Sequence, residues 1–158
     1  YSMQGRVNFL VLGSGDPQVE WQLKQLAQSF PANYNVMIGY NEALSHRMYA
    51  GADFLLMPSR VEPCGLNQMY AMQYGTVPMV RSTGGLKDTV TDMGDFQGWG
   101  IRFNHASVGD ITHSVGRAVD LFYKDPDQLN LRRKRMMKID NSWEKAVQQY
   151  INVYASLK

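Results

Sequence analysis

The chain has 158 residues, enough for one ordinary domain with a real core, and its 44% hydrophobic and 11% aromatic content excludes a disordered polymer. Sixteen basic residues against 14 acidic ones leave a formal net charge of +2, so no large field of one sign steers the chain to nucleic acid or to a membrane, and any anion is held locally. A single cysteine, Cys64, excludes an internal disulfide, and with no long apolar run, signal peptide or lipidation motif the expected setting is soluble and cytoplasmic.

The first predicted element is a buried parallel strand over 6–12, nearly continuous in apolar residues and closed by Gly13-Ser-Gly15. Because the chain opens on Tyr1, so close before this strand, it reads as an excised piece of a longer protein. Asp16 caps the helix that follows, Pro17 suits its first turn, and Trp21, Leu23, Leu26 and Phe30 form its apolar side. A second strand is expected over 34–38 and a helix capped by Asn41 through about 49. A third strand covers 54–57 and stops at Pro58. A helix over 66–74 stopped by Gly75 leads into short strands over 77–80 and 100–103. Helices over 108–123, 126–137 and 143–157 complete the chain. This βαβα order implies one α/β domain of Rossmann-like type, a parallel sheet with helices on both faces. The segment 91–98, rich in glycine and aspartate, reads as a mobile surface loop.

In such folds ligands bind at the carboxyl ends of the strands, so three loops carry the functional reading. Gly13-Ser-Gly15-Asp-Pro17 is either a tight structural turn or a loop whose backbone comes close to bound nucleotide, but Gln18 stands where a dinucleotide fingerprint needs its third glycine, and Met37, Ile38 and Gly39 supply no acid at the end of the second strand. A nicotinamide-dependent oxidoreductase is therefore a weak alternative. Pro58-Ser-Arg-Val-Glu-Pro-Cys-Gly-Leu66 runs into a helix start whose free N–H groups suit sugar hydroxyls or phosphate, with Gly65 removing a blocking side chain and Glu62 at the mouth. Cys64 reads as a backbone donor, since nothing in the sequence marks a base to activate its thiol. Arg81-Ser-Thr-Gly-Gly-Leu-Lys-Asp88 offers successive N–H groups at Gly84 and Gly85 as a concave anion site, with the Thr83 hydroxyl beside them.

The run Pro58-Ser-Arg-Val-Glu-Pro-Cys-Gly-Leu-Asn-Gln-Met-Tyr-Ala71, then Tyr74-Gly-Thr-Val-Pro78 and Arg81-Ser-Thr-Gly-Gly-Leu-Lys-Asp-Thr-Val90, closely resembles the donor-site segment of bacterial glycogen synthases and plant starch synthases. Val11-Leu-Gly-Ser-Gly-Asp-Pro17, Ile38-Gly-Tyr40, Leu44-Ser-His-Arg47, Ala50-Gly-Ala-Asp53 and Ser142-Trp-Glu-Lys145 with Tyr150 resemble the same family in the same order, over essentially the whole chain. The resemblance implies the C-terminal, donor-binding half of a two-domain GT-B glycosyltransferase, residues 1–158 lacking their N-terminal edge and the acceptor domain. It implies retaining transfer of glucose from ADP-glucose, or UDP-glucose, to the nonreducing end of an α-1,4-glucan, with no metal or other cofactor and no nucleic-acid or membrane partner. Tyr40 would stack on adenine and Gly13 line the nucleotide pocket. Glu62 would be the acidic residue near the transferred glucose, the backbone of Cys64, Gly65 and Leu66 would meet its hydroxyls, and Thr83, Gly84 and Gly85 would lie by the phosphates.

One departure narrows the resemblance: Tyr70 stands eight positions after Glu62, where related glycosyltransferases often carry a second Glu and starch-type synthases do not. The family's phosphate-binding Arg and Lys and its acceptor-side His and Asp have no match in this chain. His46, His105 and His113 read as structural and do not replace them, and the ten methionines read as core filler. A nonenzymatic nucleotide- or glucan-binding module, or another nucleotide-sugar glycosyltransferase, are the remaining alternatives.

Overall fold

Strands and helices alternate through the first five strands of the computed structural model, which describes residues 5–157. They are β1 (Phe9–Gly13), α1 (Pro17–Ser29), β2 (Tyr34–Ile38), α2 (Glu42–Gly51), β3 (Phe54–Met57), α3 (Asn67–Tyr74), β4 (Val77–Arg81), α4 (Gly84–Thr89) and β5 (Ile101–Phe103). Three helices follow, α5 (Val108–Lys124), α6 (Pro126–Met136) and α7 (Trp143–Ser156). All three strand pairings are parallel: Phe9 lies opposite Tyr34, Phe54 opposite Val77, and Met79 opposite Ile101.

The expected single sheet is divided, because hydrogen bonding joins β1 to β2 and β3 through β4 to β5 but does not join the two groups. Among the described residues, one edge of β1 and one of β3 are therefore left without a strand partner. A shared cover still connects the groups: Phe9 of β1 and Phe54 and Leu56 of β3 pack on the same cluster, formed by Met79, Ile101, Val115, Ala118 and Val119.

The core sits around the three-stranded group. Successive residues of β4 serve opposite faces, Met79 meeting Val115 and Val119 of α5 and Val80 meeting Leu86 of α4, so this strand is buried on both sides as its unbroken apolar run requires. A third cluster, Met72, Val77, Leu121, Leu129 and Met136, closes α3 and α6 onto the same sheet. Such burial is worth roughly 1.5–3 kcal/mol for each large side chain. The outer elements are far less covered. No residue of α1 or α7 is fully buried, and Trp21, expected on the packed side of α1, is 61% exposed because only β2 lies against that helix to any extent.

Two further expectations change. The Gly84-Gly85 turn is the first turn of α4, with Leu86 buried beneath it. The segment 91–98 is pinned: Asp92 accepts a two-point hydrogen bond from Arg117 (2.6 and 3.0 Å) and one from the Arg102 N–H (2.6 Å), while Arg132 reaches the Met93 carbonyl (3.2 Å).

Candidate functional site

Side chains cap the starts of five helices: Asp16, Asn41, Ser107, Asp125 and Ser142 accept hydrogen bonds from the first-turn N–H groups of α1, α2, α5, α6 and α7. The two helices that begin in the candidate loops, α3 and α4, have no side-chain cap. At α4 main-chain carbonyls take up the Gly85, Leu86 and Lys87 N–H groups instead, so it is the α3 start that keeps first-turn donors no side chain meets.

In the loop 58–66, Glu62 is half-buried and its Oε2 accepts from the Ser59 hydroxyl at 3.3 Å. Gly65 has φ +73°, a left-handed conformation that favours glycine, and a side chain there would also meet Gln68 Oε1 at 2.5 Å. Cys64 and Leu66 are exposed. The carbonyls of Cys64 and Gly65 accept from Gln68 Nε2 at 3.2 and 3.0 Å.

Loop 58–66 lies directly on the start of α4. The Gly85 N–H donates to the carbonyls of Glu62 and Pro63 at 3.3 and 3.1 Å. A Cβ on Gly84 would come within 2.0 Å of the Glu62 carbonyl oxygen, and one on Gly85 within 2.1 Å of that of Cys64. The two glycines thus permit a close backbone approach. The expected concave array of N–H groups is altered accordingly, since the Gly85 donor turns inward onto the neighbouring loop. Arg81 adds a further tie, donating to the carbonyls of Ser59 (3.1 Å), Arg60 (2.5 Å) and Asn104 (3.2 Å), so one side chain joins the loops that follow β3 and β5.

Gly13 and Tyr40 form a second group at the ends of β1 and β2. The Gly39 N–H donates to the Gly13 carbonyl at 2.9 Å, and the adjoining Tyr40 ring is 87% exposed, its hydroxyl 3.5 Å from Glu42 Oε2. No atom lies within 4 Å of a Cβ built on Gly13 or Gly15, so these glycines border open space. The structure therefore gathers Glu62, Cys64, Gly65, Leu66, Thr83, Gly84 and Gly85 into one cluster, with Gly13 and Tyr40 at the ends of the neighbouring strands. Elsewhere α2 meets α3 through an aromatic cluster. His46 Nδ1 lies 3.0 Å from the Tyr74 hydroxyl, and the Tyr49 and Tyr70 rings surround it. Burial, then the neighbouring Tyr70, raises the Tyr49 pKa above its ordinary value. Tyr70 thus stands in this cluster, and His46 packs as expected.

Sequence reasoning passed over Gln68, Arg81 and Asp92 as organising residues. For Gln68 a signal existed: it shares the buried face of α3 with Ala71 and Met72, at the i, i+3, i+4 spacing of core residues, where an amide needs a reason. His113 lines a separate cavity of about 310 Å³ with Arg102, Asn104 and Arg117. Among the described residues no group of three or more His, Cys, Asp or Glu could hold a metal, and no helix is long and apolar enough to cross a membrane.

A parallel α/β domain with uncapped helix starts at the carboxyl ends of its strands is the arrangement of a nucleotide-binding Rossmann-like protein. Residues 2–136 match the family described as Glycosyl transferases group 1, and the chain belongs to that family. It is 58% identical over 148 residues to a glycogen synthase of Flavobacterium johnsoniae, covering 94% of this chain and 31% of the relative. It is 44% identical over 154 residues to a glycogen synthase of Rhodospirillum rubrum, covering 97% and 32%. Among solved structures, the catalytic domain of starch synthase IV from Arabidopsis thaliana, bound to ADP and acarbose, matches with a TM-score of 0.85 and 34% identity over 94% of this chain and 32% of that one. The chain thus spans about a third of the length of the curated relatives it matches. Its fold is that of a GT-B glycosyltransferase domain, α/β with parallel strands flanked by helices.

Proposed function

We propose that this chain is the nucleotide-sugar-binding domain of a glycogen or starch synthase, which transfers glucose from ADP-glucose, or UDP-glucose, to the nonreducing end of an α-1,4-glucan with retention of configuration. The observation that carries the reading is the bare start of α3 beneath the loop that holds Glu62, in a fold that caps five other helix starts with side chains. Free N–H groups and the positive end of a helix suit the hydroxyls and phosphates of a nucleotide sugar. The ligands named for the starch synthase IV structure support the same chemistry.

In this reading the Tyr40 ring stacks on the base and Gly13 keeps the nucleotide pocket open. The backbone of Cys64, Gly65 and Leu66 meets the glucose hydroxyls. Thr83 and Gly84 approach the diphosphate, and Gly85 serves them by letting loop 58–66 close onto α4. Retaining transfer passes through an oxocarbenium-like state while negative charge grows on the leaving diphosphate. The Glu62 carboxylate beside the sugar and the donors beside the phosphates then act on opposite developing charges, and both act best in a site that excludes water. No cofactor enters this chemistry.

The glucan acceptor belongs to a second domain in this proposal, and further partners for the donor phosphates lie outside residues 1–158. The strand edges left free on β1 and β3 offer room for one more parallel strand, and the apolar side of α7, with Trp143, Tyr150 and Tyr154 exposed, offers a surface for the second domain to cover. The test uses the full-length protein. It should move label from ADP-glucose or UDP-glucose into glycogen, and Glu62→Gln, which keeps the size and removes the charge, should lower turnover by about 100-fold or more with ADP affinity little changed, the pattern of an interaction made in the transition state. Near-parental turnover in Glu62→Gln would remove Glu62 from the chemical step.

A further inference from the structure

We propose that Gln68 is a positioning residue, whose buried amide binds loop 58–66 and the start of α4 into one rigid unit and thereby fixes where a donor sugar lies relative to its phosphates. The inference rests on the reading of these two segments as opposite ends of a nucleotide-sugar site.

Gln68 is fully buried on the core side of α3. Its Nε2 lies 3.2 Å from the Cys64 carbonyl, 3.0 Å from that of Gly65 and 3.0 Å from Thr89 Oγ1. The Thr89 hydroxyl in turn donates to the Gly85 carbonyl at 2.6 Å, and the Gly85 N–H donates to Glu62 and Pro63. The contacts form a closed circuit that runs from loop 58–66 through the amide to α4 and back to the loop. Every link but one involves a main-chain group, so the circuit constrains backbone, and a shift in either segment must break a bond in it.

A mere filler of the core would be built differently. Gln68 Oε1 is buried without a hydrogen-bond partner, a cost that leucine or methionine in the same space would avoid. The same oxygen lies where a side chain on residue 65 would stand, so the amide in this position requires glycine there. The amide is kept at a position where an apolar residue would stabilise more, and what it adds is the connection between the two loops.

The test compares Gln68→Met, Thr89→Val and Thr89→Ser in the full-length protein, with kcat and separate KM values for nucleotide sugar and glucan. Gln68→Met should lose about 100-fold in kcat, the scale on which displacement by about 1 Å acts, with a raised KM for the nucleotide sugar and an unchanged KM for glucan. Thr89→Ser, which keeps the hydroxyl, should approach the parent, while Thr89→Val should fall with Gln68→Met. The double variant should be little worse than the poorer single one, as for groups acting as one unit. Amide hydrogen exchange should rise together at 62–66 and 84–89. Should Gln68→Met not fold, the two Thr89 variants carry the same comparison. A folded Gln68→Met with parental kcat and donor KM overturns the inference and leaves the proposed function standing, as do fully additive losses in the double variant. A parent that transfers glucose from neither donor overturns the proposed function and this inference with it.

Discussion

Tyr40 spends nearly all of its ring in water at the end of β2, held by no more than a long contact to Glu42, so its removal costs the fold little. A stacked base would recover that exposed face, and base stacking on aromatic side chains is worth about 1–3 kcal/mol by alanine substitution. Tyr40→Ala should therefore weaken ADP binding by roughly 5- to 150-fold in a calorimetric titration, with the melting temperature unchanged; equal affinity would exclude the stacking role. The sequence singles out at this scale residues whose chemistry stands out in a loop: Glu62 between Arg60 and Pro63, a paired glycine, a tyrosine just past a strand. Less legible were residues that act through position. Gln68 and Arg81 are ordinary letters in a helix and at a strand end, and only the fold shows that both reach the main chain of loop 58–66. Gly85 is the intermediate case: the paired glycine suggests N–H groups open to an anion, and the structure turns the Gly85 N–H onto the carbonyls of Glu62 and Pro63.

At the scale of elements, strands and helices followed from apolar runs, caps and glycine stops, whereas the loop 91–98 was misread because its composition says nothing of its partners. Two glycines and two aspartates resemble a free loop, but Asp92 finds Arg117 on α5, 25 residues on. Burial pushes the Asp92 carboxyl up, yet the hydrogen bonds from Arg117 and from the Arg102 and Gly94 N–H groups, with the Arg117 charge, outweigh it and leave the pKa below the ordinary value. The folded state thus holds the charged form more firmly than the unfolded chain. This contribution to stability is complete above the unfolded value of about 3.9 and is lost as pH falls through the depressed folded pKa. Asp92→Asn should lower stability at neutral pH by about 2 kcal/mol, the scale of hydrogen bonds to a charged group, and should flatten part of the loss seen below about pH 4. Asp110 and Asp140, lowered chiefly by hydrogen bonds at their own helix starts, would keep the remainder. Denaturant titrations of parent and variant across that range measure both effects, and an unchanged midpoint at neutral pH would show that the loop is not held by Asp92.

The whole chain distributes its packing unevenly, and this decides what it does on its own. Fully buried side chains gather around β3, β4 and β5, while β1, β2, α1 and α7 keep apolar surface in water, with Leu10, Trp21, Trp143 and Tyr154 each more than half exposed. The sequence predicted the alternating order but could not show where the sheet would part, because an apolar strand reads the same whether its neighbour is present or not. The three clusters around the three-stranded group are enough for folding, so the isolated 158-residue chain should melt cooperatively, with α7 exchanging its amide hydrogens early because it buries no residue fully. It should bind ADP weakly. Arg81, which borders the cluster, spends its donors on the carbonyls of Ser59, Arg60 and Asn104 rather than on a diphosphate, whose tight binding rests on charge-assisted contacts. It should transfer no glucose, since transfer with retention needs donor and acceptor held together in a cleft that excludes water, and here the open side of the Glu62 loop faces solvent. Incubation with ADP-glucose and glycogen, with label followed into polymer and the full-length protein as positive control, measures this directly. Incorporation by the chain alone would mean that the acceptor groove and every catalytic group lie within these residues, and the assignment of the second wall of the site to another domain would have to be given up.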